Sequence, residues 1–263
     1  MVAFVEGTRT VTLLLSVAAA ATLSVGASVV VPLVRDSGSA GLGYPPLPSD
    51  ARPSRLQAPV AVVSSGPHVF DNVLPGGVAA TYDPCRAVHY VVNPASMPAG
   101  AQALIGDAVA AVSAATGLVF IDDGPTDEPL QQDRELVQVQ RYGNRWAPVL
   151  IGWSDQAAYP ALAGDVAGVG GSALVQPRGQ ASARLVTGQV ALDVDALVPL
   201  MQRGHSDQVR AIVMHELGHV VGLDHVDDPT QLMYPRNLGL TAFSRGDLEG
   251  LAQLGHGVCH TDT

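Results

Sequence analysis

The stretch His215-Glu216-Leu217-Gly218-His219-Val220-Val221-Gly222-Leu223-Asp224-His225 governs how the rest of this 263-residue chain is read. His215 and His219 stand four apart. On an α-helix positions i and i+4 lie on one face, so two imidazoles there can converge on one metal ion. Glu216 projects roughly 100° round from His215 at about 3.6 residues per turn. It can reach a water on that metal without having to ligate it. Gly222 tolerates the left-handed conformation in which helices end, so the chain can turn back and deliver His225. Three protein nitrogens with a fourth position open are the coordination of a catalytic zinc site.

The extended pattern H-E-x-x-H-x-x-G-x-x-H is far more specific than H-E-x-x-H alone. A surface helix that carries histidines by chance is the competing reading, and a second element weighs against it. Met233, in Leu232-Met233-Tyr234-Pro235, follows His225 by eight residues. Methionine is ordinarily core filler, but a methionine turn just past three such histidines is the second half of a known pattern. Residues 215–235 therefore resemble the active site of the metzincin zinc peptidases, and the turn is most similar to the matrixin branch (peptidase M10-type). Phe243 to Leu251 also resembles the start of the matrixin C-terminal helix, with Asp247 matching an aspartate that anchors active-site structure.

The resemblance implies an α+β, zincin-like fold: a mixed twisted sheet with two long helices and a small C-terminal subdomain. It implies that His215, His219 and His225 bind one catalytic zinc, that Glu216 is the general base, and that Met233 is the floor under the metal. The implied activity is a zinc-dependent endopeptidase working through an activated water. The alternative is an inactive zinc-binding adhesion or scaffold protein on the same fold; the retained Glu216 favours the enzyme. The pocket beyond the cleavage point is expected from Pro235, Arg236, Asn237 and Leu238, with the small Ala211 one turn before His215 leaving it deep. An edge strand near Val169–Gln176 is expected to pair with substrate by strand addition. Tyr234 follows the methionine by one residue, where some metzincins have a tyrosine two residues on, so no catalytic role is assigned to it.

The chain also departs from its relatives. No histidine lies between His89 and His205, so the second, structural zinc of typical matrixins is not expected. Calcium is common in the family, and Asp122, Asp123, Asp127, Asp193 and Asp195 are the candidates; their spacing does not show the several converging oxygens that calcium needs, and solvation is preferred.

Composition is 47% hydrophobic and 14% charged, which is globular rather than disordered. A net charge of −10 with no basic cluster argues against nucleic acid as a partner. Residues 11–34 are uncharged and largely apolar, behind Arg9. Residues 1–35 read either as a cleaved signal peptide, with Val25-Gly26-Ala27 as the site, or as a membrane anchor. Both place the rest outside the cytoplasm, secreted or at the cell surface. Residues 36–66 are rich in Pro, Ser and Gly and read as a linker. Residues 67–263 would be the catalytic domain, expected to act as a monomer on protein or peptide substrates.

The chain holds two cysteines, Cys85 and Cys259. In an exported chain such a pair most often forms a disulfide, worth about 4–5 kcal/mol by loop entropy. The alternative is a thiol that caps the zinc, as matrixin pro-segments do. Asp83-Pro84-Cys85-Arg86 does not match that pro-segment motif, and the disulfide is favoured.

Periodicity predicts a strand over 88–92, a helix over 99–116 ending at Gly117, and strands over 118–121, 136–140, 149–153, 173–176 and 186–193. The motif helix is expected over about 206–221, with Ser206 as its N-cap. A last helix is expected over 244–254.

Overall fold

The computed structural model describes residues 44–62, 65–176 and 183–260. The apolar run at 11–34 lies outside them, and with it the choice between signal peptide and anchor. Three short strands come first: β1 (Val69–Phe70), β2 (Val73–Leu74) and β3 (Val78–Ala79). The main α/β part follows as β4 (Val88–Asn93), α1 (Ala101–Thr116), β5 (Phe120–Pro125), the single turn α2 (Val139–Tyr142), β6 (Val149–Ser154), β7 (Gly168–Val175) and β8 (Arg184–Asp193). Then come α3 (Val194–Gln202), α4 (Ser206–Val221), β9 (Leu223–Asp224) and α5 (Arg245–Leu254).

Five strands form one mixed sheet in the order β5-β4-β6-β8-β7. The first four are parallel, and β7 runs antiparallel to β8 along one edge. This is the expected α+β class, with two 16-residue helices, α1 and α4. The parallel strands read as β-branched, apolar runs because they are covered. One face sends Val88, Val92, Val149, Ile151, Val190 and Leu192 into the core. Helix α1 buries Ile105, Ala108, Val109 and Val112 on the periodicity its sequence shows. It packs against α4, which in turn lies across β7 and β8.

Two expectations about elements are corrected, and one helix is added. Residues 136–140 are not a strand; the chain turns there and enters α2. The strand expected at 118–121 begins at Phe120 and continues to Pro125. Helix α3 was not anticipated; it carries Pro199 inside it, and Asp193 starts it by accepting a hydrogen bond from the Asp195 amide.

The described part of the 36–66 linker has no helix or strand of its own, but it is not free. Its backbone lies along the domain, with the Arg52 and Leu56 amides donating to the Cys85 and Pro84 carbonyls at 2.9 and 3.0 Å. The Arg55 guanidinium reaches the carbonyls of Gly255 and Gly257 beyond α5. An extended, proline-rich chain keeps its own polar backbone groups unpaired, so they are available to a neighbouring surface. Cys85 and Cys259 are joined to each other, with Cα atoms 5.4 Å apart. Neither thiol is left to cap a metal.

Candidate metal centre

Helix α4 runs from Ser206 to Val221, the span the motif predicted; its N-cap is His205 rather than Ser206, and the His205 side chain makes no capping bond. It stops at Gly222, whose φ of 116° a side chain would strain. His225 follows three residues later, directly after β9, which pairs antiparallel with β1 in the register Val69 to Asp224. The first strand of the domain thus braces the last ligand candidate. The Asp224 side chain adds a local brace by accepting from the His225 backbone amide at 2.7 Å.

The three imidazoles converge. Their Nε2 atoms are 3.0 Å apart between His215 and His219, 3.2 Å between His215 and His225, and 3.2 Å between His219 and His225. Nδ1 of His215 donates to the Leu232 carbonyl at 2.7 Å, and Nδ1 of His219 donates to the Leu223 carbonyl at 2.8 Å. Those bonds place the ring proton on Nδ1 and leave Nε2 as a bare lone pair. Burial, then the neighbouring histidines, hold His215 well below the usual histidine pKa and bring His219 to about 4. Burial likewise lowers His225. Lone pairs aimed at one another repel unless a cation sits between them. Three nitrogens about 2.0–2.1 Å from a tetrahedral zinc would be about 3.3 Å apart, so the residues present fit that ion.

Glu216 is fully buried, and neither carboxylate oxygen has a hydrogen-bond partner. Burial pushes its pKa well above the carboxylate range; the Gly170 amide, oriented toward it, offsets this only in part. The glycines of β7 explain how α4 comes so close. A Cβ on Gly168 would stand 2.9 Å from the Glu216 side chain, and one on Gly170 would stand 2.2 Å from the Glu216 carbonyl oxygen. The edge strand therefore meets the helix backbone to backbone at the acidic residue. Ser172, further along β7, donates to the Val220 carbonyl at 2.6 Å and is bonded to the Tyr82 hydroxyl.

Met233 is buried beneath the helix, and a Cβ on Gly218 would stand 2.7 Å from its sulfur. Asp247 holds this turn in place. Its Oδ2 accepts from the Leu232 amide at 2.7 Å and from Ser244 at 2.8 Å, and its Oδ1 accepts from Met233 at 3.1 Å. The same carboxylate closes the capping box that starts α5. One buried acid thus ties the methionine turn to the last helix.

Residues 160–254, from the turn before β7 to the end of α5, match the family model of the matrixins, Peptidase_M10. Over that stretch the chain is similar to a matrixin catalytic domain. The matrixins are zinc metallopeptidases, hydrolases of peptide bonds. No curated protein matches the chain. Within the matching stretch, Ala211, Arg236, Asn237 and Leu238 border a pocket beside His215, with Leu232 and Leu240 also in its wall. Pro235 is not in that wall: it sits in the turn, before the chain reaches the pocket.

Several supports of the site were not read from sequence. The carbonyls of Leu223 and Leu232 carry no residue signature. The glycines of β7 were visible, but not their contact with Glu216. Asp122, Asp123, Asp127 and Asp193, candidates for calcium, are engaged by protein groups: the Gly124 amide, His89 with Arg145, Arg141, and the Asp195 amide respectively.

Proposed function

We propose that the domain is a zinc-dependent endopeptidase acting on proteins outside the cytoplasm. The observation that carries this reading is the convergence of three Nε2 atoms, two of them left unprotonated by their Nδ1 bonds, beside a buried, unpartnered glutamate. His215, His219 and His225 would hold the ion. Zinc bound there supplies Lewis-acid polarisation of the scissile carbonyl and makes water a nucleophile at neutral pH. Glu216 takes the proton from the attacking water and returns it to the leaving amine. Its burial makes it a stronger base than an exposed carboxylate. The outer edge of β7 offers its free backbone groups to an extended peptide, which adds as a further strand. Met233 and Asp247 keep the ligands' surroundings fixed while this happens.

The Cys85–Cys259 bridge suits an oxidising compartment. Residues 1–35 would deliver the domain there, cleaved or as an anchor. Among the described residues no helix is long and apolar enough to cross a membrane. The domain would work as a monomer with one zinc.

Casein hydrolysis by the purified, zinc-loaded chain tests the reading. Glu216→Ala is expected to lower kcat about 10²–10⁴-fold with zinc content still one per chain, and a chelator should abolish activity. Equal hydrolysis by wild type and Glu216→Ala would overturn the mechanism. A wild-type chain that binds zinc but cleaves nothing would leave the scaffold alternative standing.

A further inference from the structure

The pocket beside His215 has an apolar wall, supplied by Ala211, Ile212, Leu232 and Leu240, and three polar residues at its border. Two of the three are already committed. The Gln231 side chain accepts from the Gly246 and Asp247 amides and donates to Thr230. Asn237 accepts from the Gly239 amide with its Oδ1. The third, Arg236, is exposed. Its Nη2 donates to the Tyr234 hydroxyl at 3.0 Å, and its guanidinium lies 5.7 Å over the Tyr234 ring. These contacts hold the guanidinium at the mouth of the pocket while leaving its charge unneutralised: among the described residues Arg236 makes no ion pair. The chain as a whole carries −10, with 14 basic residues against 24 acidic ones. A bare cation beside the candidate site of an acidic molecule is a local reversal of sign.

We propose that Arg236 determines specificity by selecting peptides with a carboxylate side chain next to the bond to be cut. The inference rests on the endopeptidase reading and adds a substrate class to it. Arg236 has donors left over from Tyr234, and a guanidinium matches a carboxylate with paired N–H groups. The rest of the pocket wall accommodates the methylene groups of a glutamate. A peptide with lysine at that place would meet like charge and bind more weakly. The site is at the surface, so the preference is modest and sensitive to salt.

The test is a family of peptides in which one glutamate is moved through each position flanking the cleaved bond, against the matching glutamine peptides. The ratio of kcat/KM for Glu over Gln is taken within each variant, so changes in overall rate cancel. In wild type the ratio should be about three to tenfold at one adjacent position and shrink towards one as salt is raised. Arg236→Lys should keep most of it, Arg236→Ala should lose it, and Arg236→Glu should prefer lysine. A Glu/Gln ratio of one in wild type, or one unchanged in Arg236→Ala and Arg236→Glu, overturns the inference and leaves the peptidase standing. No cleavage of any peptide by the zinc-loaded wild type overturns both.

Discussion

Gly170 and Gly171 are neighbours in β7 with opposite tolerance for a side chain. A Cβ at Gly170 would be 2.2 Å from the Glu216 carbonyl oxygen, and one at Gly171 would meet nothing within 4 Å. Gly170→Ala must therefore push β7 off α4 at the very residue proposed as the base. It is expected to cost about 1–3 kcal/mol, the usual range for overpacking, and to reduce peptide hydrolysis sharply. Gly171→Ala should leave the thermal midpoint nearly unchanged. Equal melting temperatures for the two variants would contradict the close approach. At this scale the ligand candidates were legible in the sequence, because histidine spacing on a helix is strict. The partners that orient them were not. Those are the carbonyls of Leu223 and Leu232, and every residue has a carbonyl.

Among the elements, α1 and α4 were legible nearly to the residue. Their apolar spacing is regular, and each stops at a glycine with positive φ, Gly117 and Gly222. The segment between β5 and β6 was not legible. Alternation at 136–140 resembles a strand, yet the chain is folded around Glu128, a buried acid that accepts from Arg134, Gln138 and Tyr142. Nothing in a linear sequence marks one glutamate as buried. Burial alone would raise the Glu128 pKa; those three partners more than offset it, and it ends up below the ordinary value. A carboxylate with a depressed folded pKa stabilises the fold above its unfolded pKa of about 4.3. That contribution is lost as pH falls through the folded value. Glu128→Gln should thus be clearly less stable than wild type at pH 7 in urea titrations. The gap should close as the pH is taken below about 4. A gap that stays constant with pH would mean the charge of Glu128 contributes nothing.

For the molecule as a whole, fold class could be argued from element order and the resemblance at 215–251, and compartment from the apolar run at 11–34 with the two cysteines, whereas the course of the 44–62 segment could not. Proline-rich sequence predicts extension but not which surface the extended chain will lie against. The segment runs to the disulfide at one point and to the end of α5 at another. The bridge spans 174 residues. Replacing both cysteines by serine should lower stability by about 2–5 kcal/mol, read as a lower melting temperature, and reductant should lower that of wild type alike. A melting curve indifferent to reductant would show that the bridge adds nothing to stability.

The same bridge bears on how the chain is made. Synthesis exposes Cys85 long before Cys259, and within these 263 residues there is no third cysteine with which either could pair wrongly. Maturation therefore needs an oxidant but no reshuffling. Bridge formation also waits until Cys259 has emerged, 174 residues after Cys85, so a chain terminated between the two leaves Cys85 as an unpaired thiol, a chemical mark of incomplete product.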